Sequence, residues 1–264
     1  KNIKIENSAL DDLENTLLQN LSDTSLRVVW LLFNEFRDTD KAINKYKNFK
    51  EAKQTILEVD CKEYKKFIIH LLKDGYEVLF SKYPVLAKFL SIQVRLWSIS
   101  TIKLIKRIDN NWDSISSFFK LSNINSISKF ELNKGDNHRG NQTVTIIHFL
   151  SNKERTYKLV YKPKDISLEE TFQSLIHELN PFDNKKNLKA LRTLKLKDFG
   201  LIEYINHIPC TSKEEYKIFY FNAGRLLSLL YFLGANDCHY ENLIAVKEDL
   251  YLIDVETLFE PQVP

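Results

Sequence analysis

The sequence contains no methionine, and its 264 residues include only three cysteines, six glycines and six prolines. Without Met there is no initiator, so the chain, which starts at Lys1 and stops abruptly after Pro264, is expected to be a piece of a longer polypeptide. Cys61, Cys210 and Cys238 are far apart and form no CxxC pair. That argues against a disulfide framework or a zinc site and fits a reducing compartment. No apolar segment follows a basic start, so no secretory signal is visible. The longest apolar-rich run, Leu226 to Leu233, is too short to span a bilayer. A cytoplasmic location without membrane insertion is therefore expected. The net charge of +3 is small and evenly spread, which argues against nucleic acid or an anionic membrane as a partner. No repeat, low-complexity tract or Pro/Ser-rich linker occurs, and the length allows one large domain or two modest ones with a sizeable core.

What is present changes character near residue 125. Before it, apolar residues recur every three to four positions, as in Ser25 to Phe36 and Lys62 to Lys73. Pro84 stands where the first turn of a helix tolerates proline, and the apolar pattern continues through Trp97 to Ile108. Residues 1–125 read as a helical region. After it the period shifts towards two. Ile127 to Leu132, Thr143 to Leu150 and Thr156 to Tyr161 read as strands, with a turn at Ser151 to Glu154. A helix follows over Ser167 to Leu179, with Ser167 and Glu170 expected as a capping box. Strand-like runs at Ala190 to Leu196 and Leu201 to Ile205 precede a long helix over Ser212 to Leu233, capped by Ser212 and Glu215 and closed by Gly234. A hairpin, Leu243 to Ala245 and Leu250 to Ile253, ends the pattern. The expectation is an α+β chain in which a helical region precedes a catalytic region over residues 126–264. The element order there is that of a kinase N-lobe and the start of its C-lobe, but fold order alone does not give chemistry.

The chemistry-bearing residues gather in the second region. Asp237 precedes Asn242 by five positions, the interval of the kinase catalytic loop, where Asp accepts the hydroxyl proton and Asn holds magnesium. Such a pair alone is also a common polar turn. Asp254, ending the run Leu250 to Asp254, strengthens it, because an acidic residue there returns to the loop and can bind the same metal. Glu256 follows two residues on and is taken as a further metal ligand. Upstream, Lys162 interrupts the apolar third strand. Mid-strand lysines usually face solvent or protect an edge, whereas in a kinase frame this one contacts the ATP phosphates. Its acidic partner would be Glu169, Glu170 or Glu178. The loop Lys134 to Asn141 lies where a phosphate loop belongs but lacks GxGxxG. Gly135 and Gly140 allow a tight cofactor-binding backbone, and Asp136 and His138 offer acid–base groups. Glu203 is placed with the cofactor. His148, His177 and His207 show no metal spacing, and no GxxxxGK[ST] occurs, so a P-loop ATPase is disfavoured.

Six stretches, in order, resemble the dehydratase domain of class II lanthipeptide synthetases of the LanM type. They are Lys82 to Leu90 with the Trp97 region, Gly135 to His138, Lys158 to Pro163, Gly200 to Tyr204, Asp237 to Asn242 and Leu252 to Phe259. The resemblance implies a kinase-like fold related to lipid kinases, with ATP and Mg²⁺ as cofactors. It implies a ribosomal precursor peptide, leader and core, as substrate, whose Ser and Thr are phosphorylated and then lose phosphate to give dehydroalanine or dehydrobutyrine. By position, Lys162 would contact phosphate, Asp237 and His239 would serve phosphoryl transfer, and Asn242 and Asp254 would hold Mg²⁺. Asp136 and His138 would act at the phosphate or in elimination. The family's further elimination residues, and a cyclase domain, would lie beyond Pro264. Two alternatives remain: a kinase-like phosphotransferase without elimination, and a non-catalytic peptide-binding module.

Overall fold

A computed structural model describes residues 3–36, 61–73, 76–134, 142–180 and 188–259, the side chains of residues 61–63 excepted. Among them are seven α-helices and eight strands, an α+β composition with a mixed sheet. The chain divides into two compact units, Leu13–Ile102 and Lys1–Asp12 with Lys103–Pro264.

The first unit is helical. It holds most of α1 (Asn7–Phe36), all of α2 (Cys61–Lys73) and α3 (Glu77–Lys82), and the greater part of α4 (Pro84–Asn110). The helical periodicity has its cause in a shared core of Leu32, Phe33, Phe67, Leu71, Leu79 and Leu86. Phe33 meets Phe67 with ring centroids 5.4 Å apart and Tyr64 edge-on at 5.5 Å, geometries that add to simple burial. Gln93 donates to the Thr24 hydroxyl at 2.8 Å, and the Trp97 indole N–H donates to the Leu13 carbonyl at 3.1 Å. By length and composition α4 is long and apolar enough to cross a membrane. This corrects the expectation that no segment is, which considered unbroken apolar runs. Lys88, Ser91, Gln93 and Arg95 interrupt its apolar residues, so no unbroken run marks it.

The second unit is built on a six-stranded sheet of order β1-β2-β3-β4-β6-β5. Its strands are β1 (Lys4–Ile5), β2 (Ile124–Glu131), β3 (Thr145–Ser151), β4 (Thr156–Lys162), β5 (Thr193–Lys195) and β6 (Gly200–Glu203). Only the β1–β2 pair is parallel. Two residues carry no readable period, so β1 was not anticipated. Helix α5 (Trp112–Phe118) leads into the sheet and α6 (Ser167–Leu179) follows β4. The expected capping box of α6 does not form. Ile166 stands at the cap position with no side-chain cap bond. The Asp165 carboxylate instead accepts from the Ser167 amide at 2.7 Å and from the Ser167 hydroxyl. Ser167 is therefore already committed, and Glu170 has no role in capping.

Helix α7 (Lys213–Phe232) starts as expected, with the Ser212 hydroxyl accepting from the Glu215 amide at 3.1 Å. Glu215 reaches one residue past its usual partner, to the Thr211 amide at 2.6 Å. Gly234, at φ +63°, closes the helix, with bonds from its amide to Tyr231 and from Ala235 to Leu230. Only a residue at home in the left-handed region makes this Schellman ending without strain. The hairpin β7 (Leu243–Val246) and β8 (Asp249–Leu252) then turns through Lys247. Phe172 and Ile176 of α6, Leu226 and Leu230 of α7, and Leu252, Val255 and Leu258 share one core. That core sets β8 and the segment after it beneath α6.

Candidate functional site

Strand alternation puts Ile146, Val160 and Ile202 on one face of the sheet, and this face walls a cavity of about 600 Å³. Ile244 and Ile253 of the hairpin region form its other apolar wall. Lys134, Lys162, Lys164, Asp237, Asn242 and Asp254 bring charge and polarity to the same space.

Lys162 ends β4 and points into the cavity with Val160, two residues back. It is almost fully buried, which a lysine tolerates only when paired. Its ammonium lies 3.0 Å from the Glu169 carboxylate, donates to the Ile253 carbonyl at 3.1 Å and is 3.9 Å from Asp254. Of the three candidate partners, Glu169 is the one α6 turns inward; Glu170 and Glu178 are exposed. Glu169 sits in the first turn of α6, where the helix dipole favours a carboxylate.

The loop between α7 and β7 is held from several sides. The Asp237 amide donates to the Thr257 hydroxyl at 3.1 Å. The Asn242 carboxamide donates to the Asp237 carbonyl at 2.9 Å and approaches its carboxylate at 3.4 Å. The Ile253 amide donates to the Asn242 carbonyl at 2.9 Å, joining the loop to the exit of β8. His239 Nδ1 accepts from the Glu241 amide at 3.2 Å, and its Nε2 lies 3.3 Å from the Asp237 carboxylate. With Nδ1 accepting, the proton belongs on Nε2, where it can orient Asp237. Asp254 accepts from the Glu256 amide at 3.3 Å.

The remaining expected residues are placed differently. The Glu256 carboxylate pairs with Lys164. Glu203 lies on the cavity wall, but its carboxylate accepts from the Arg192 amide and guanidinium at 2.8 and 2.9 Å. Gly135, Asp136, His138 and Gly140 lie outside the described residues. Lys134, which precedes them, is on the cavity wall and 3.2 Å from Glu131. Burial alone would raise the Glu131 carboxyl, but hydrogen bonds from Lys134 and His148, aided by Lys129, hold it at about 2. Burial pushes the His148 imidazole below its usual range despite that same bond.

Residues 83–264 match the family described as Domain of unknown function (DUF4135), which is found in LanM-type lanthipeptide synthetases. The chain belongs to the DUF4135 family. Lacticin 481/lactococcin biosynthesis protein LcnDR2 of Lactococcus lactis subsp. lactis is 28% identical over 193 residues, 70% of this chain and 20% of that protein. The chain thus spans 20% of the length of this curated relative.

Every residue of the cavity falls inside the DUF4135 match. Among the described residues, no three His, Cys, Asp or Glu side chains gather as a metal cage. The oxygen donors on the cavity wall include the Asp237 and Asp254 carboxylates and the Asn242 carboxamide, beside the carboxylates of Glu203, Glu241 and Glu256. These are hard oxygens, and Mg²⁺ is held by one or two carboxylates with substrate phosphates rather than by an all-protein cage. The donor set therefore fits Mg²⁺.

Two contributors in this DUF4135 region escaped the sequence reading. Lys164 was legible in principle as a second lysine two residues after Lys162, just past the end of β4, and it too lines the cavity. Arg107 was also visible, as a charge inside an apolar helix. From α4 it donates to the Tyr161 hydroxyl at 2.6 Å, the Gln142 side chain at 3.3 Å and the Asp198 carbonyl at 2.8 Å, and it pairs with the Asp198 carboxylate. It thus fixes the residue before Lys162 and the turn leading into β6.

Proposed function

We propose that this cavity binds ATP and transfers its terminal phosphoryl group to Ser and Thr of a ribosomal lantibiotic precursor peptide, as the first half of a dehydration. The observation that carries this reading is the convergence of Lys162, Asp237, Asn242 and Asp254 on one cavity. Membership of DUF4135 and the likeness to a lacticin 481 biosynthesis protein support the lanthipeptide setting. The element order from β2 to β8 supports a kinase-like N-lobe followed by the start of a C-lobe, and the resemblance to the LanM dehydratase domain implies a relation to the lipid kinases. The volume suits a nucleotide, with an apolar wall for a purine and cationic side chains for phosphates.

In this reading Lys162 donates to phosphate oxygens while Glu169 keeps the ammonium aimed. Asn242 and Asp254 would hold Mg²⁺, which when bound neutralises charge accumulating on those oxygens. Asp237 accepts the proton of the substrate hydroxyl as its oxygen bonds to the γ-phosphorus and the bond from that phosphorus to the bridging oxygen breaks, releasing ADP, and His239 orients the accepting carboxylate. Phosphate then replaces hydroxide as the leaving group, and loss of the α-proton gives dehydroalanine or dehydrobutyrine. Asp136 and His138 are assigned to the phosphate or to that elimination. The partners are the leader and core of the precursor and the rest of the synthetase, with its cyclase domain, in the cytoplasm.

The test is incubation of the full polypeptide with precursor peptide, ATP and Mg²⁺, followed by mass spectrometry. Successive losses of one water per modified residue are expected, with Asp254→Ala and Asn242→Ala inactive. Stable phosphate adducts without water loss would reduce the reading to a phosphotransferase. An unchanged peptide mass, with nucleotide binding indifferent to Asp254→Ala, would replace it with a peptide-binding module.

A further inference from the structure

Besides Lys134, two further lysines line the cavity, and they lie close to each other. Lys162 and Lys164 alternate onto the same side of the chain around Pro163, and both line the space. They share one buried carboxylate: Glu169 is 3.0 Å from Lys162 and 3.7 Å from Lys164. Asp254 adds a carboxylate 3.9 Å from Lys162, but of the carboxylates facing the two ammonium groups Glu169 is the buried one. Lys164 is only 20% exposed, and it draws its second counter-charge from Glu256, which is 53% exposed and stands just past Asp254. Burial first, and the neighbouring Lys162 charge second, push the Lys164 ammonium below the usual lysine range. A half-buried cation next to another cation, balanced by an exposed carboxylate, is a place where an entering anion gains by replacing that carboxylate.

We propose that Lys164 is a second phosphate-binding cation of the cavity, and that Glu256 is its resting counter-ion rather than a metal ligand. The proposal rests on the nucleotide reading above and adds a residue to it. When a polyphosphate enters, the Lys164 ammonium transfers its N–H donors from Glu256 to phosphate oxygen, and the Glu256 carboxylate turns to solvent, where its exposure already places it. Lys162 keeps Glu169 throughout. Glu256 then favours release, because it competes with phosphate for Lys164 in every cycle.

The test is calorimetric binding of ATP, with Mg²⁺, and of adenosine to the full polypeptide and its variants. Lys164→Gln is expected to weaken ATP binding about tenfold while leaving adenosine binding as in the wild type, and Lys164→Arg is expected to recover most of the ATP affinity. Glu256→Gln is expected to bind ATP as tightly as the wild type or severalfold tighter, with no change in the Mg²⁺ concentration that half-saturates the effect. Equal ATP affinity in the wild type and Lys164→Gln overturns the proposal. So does a raised Mg²⁺ requirement in Glu256→Gln, which would return that residue to the metal. A wild type that binds no ATP overturns the nucleotide reading itself, and this inference with it.

Discussion

The Lys162 ammonium lies 3.0 Å from the Glu169 carboxylate, and the two side chains are 7% and 6% exposed. A lysine and a glutamate buried to this degree are held by each other. Removing one partner leaves an uncompensated charge, whereas replacing both with apolar groups removes the desolvation cost as well. Glu169→Gln is therefore expected to destabilise the fold by about 3 kcal/mol. The double variant Lys162→Met with Glu169→Leu should lose clearly less than the sum of the two singles, because the sites are in contact. Urea unfolding of the wild type, Glu169→Gln, Lys162→Met, Glu169→Leu and the double variant checks this. Additive losses would mean that the pair is not coupled.

Gly200 is the register partner of Lys162 across β4 and β6. A methyl group at Gly200 would fall inside the side chain of Ile166, which is fully buried, so Ile166 would have to shift. Gly200→Ala is expected to cost about 1–3 kcal/mol and to displace the strand that supports Lys162, so ATP binding should weaken too. Gly200→Ala combined with Ile166→Ala should recover part of the lost stability. A single variant as stable as the wild type in thermal unfolding would disprove the close approach.

Arg107 acts on Lys162 from behind the sheet. It fixes the Tyr161 hydroxyl and the Asp198 carbonyl at once, a task for a planar fork that lysine cannot reproduce. Arg107→Lys is expected to destabilise by about 2 kcal/mol and, on the proposed function, to raise the KM for ATP more than it lowers kcat, since Arg107 holds the strand that carries Lys162 without itself lining the cavity. A fall in kcat alone, with KM unchanged, would contradict that role.

Stability should decline towards acid in two stages. His148 has a folded pKa below its usual 6.5, so the unfolded chain takes up a proton first and stability falls as pH drops below that value. Glu131 is held at about 2 against a usual 4.5, so its contribution is complete above pH 4.5 and is lost as pH falls from there towards 2. His148→Gln is expected to flatten the first stage, while the second persists through Lys134 and Lys129 and moves towards higher pH to the extent that the His148 bond to Glu131 is lost. Thermal midpoints measured across this range decide it, and a His148→Gln profile parallel to that of the wild type would exclude the assignment.

Much of this protein follows from near neighbours in sequence. Periods of three to four and of two mark the helices and strands because one face of each must be apolar, and Gly234 ends α7 because the closing residue there is left-handed. The Asp237–Asn242 loop is legible for the same reason: its defining bonds join residues five positions apart. The α6 cap was misread because Asp165, two residues before the expected box, satisfies the Ser167 amide first. Other features come from packing between distant segments, which no local pattern encodes. The rotation of α6 on the sheet, and not its composition, chooses Glu169 over Glu170 and Glu178. The pairing of Lys164 with Glu256 spans 92 positions, and that of Arg107 with Asp198 spans 91. Local chemistry determined which residues could bind phosphate and metal; the tertiary fold alone decided which carboxylate faces which lysine, because only folding brings those charges into a common, poorly solvated space.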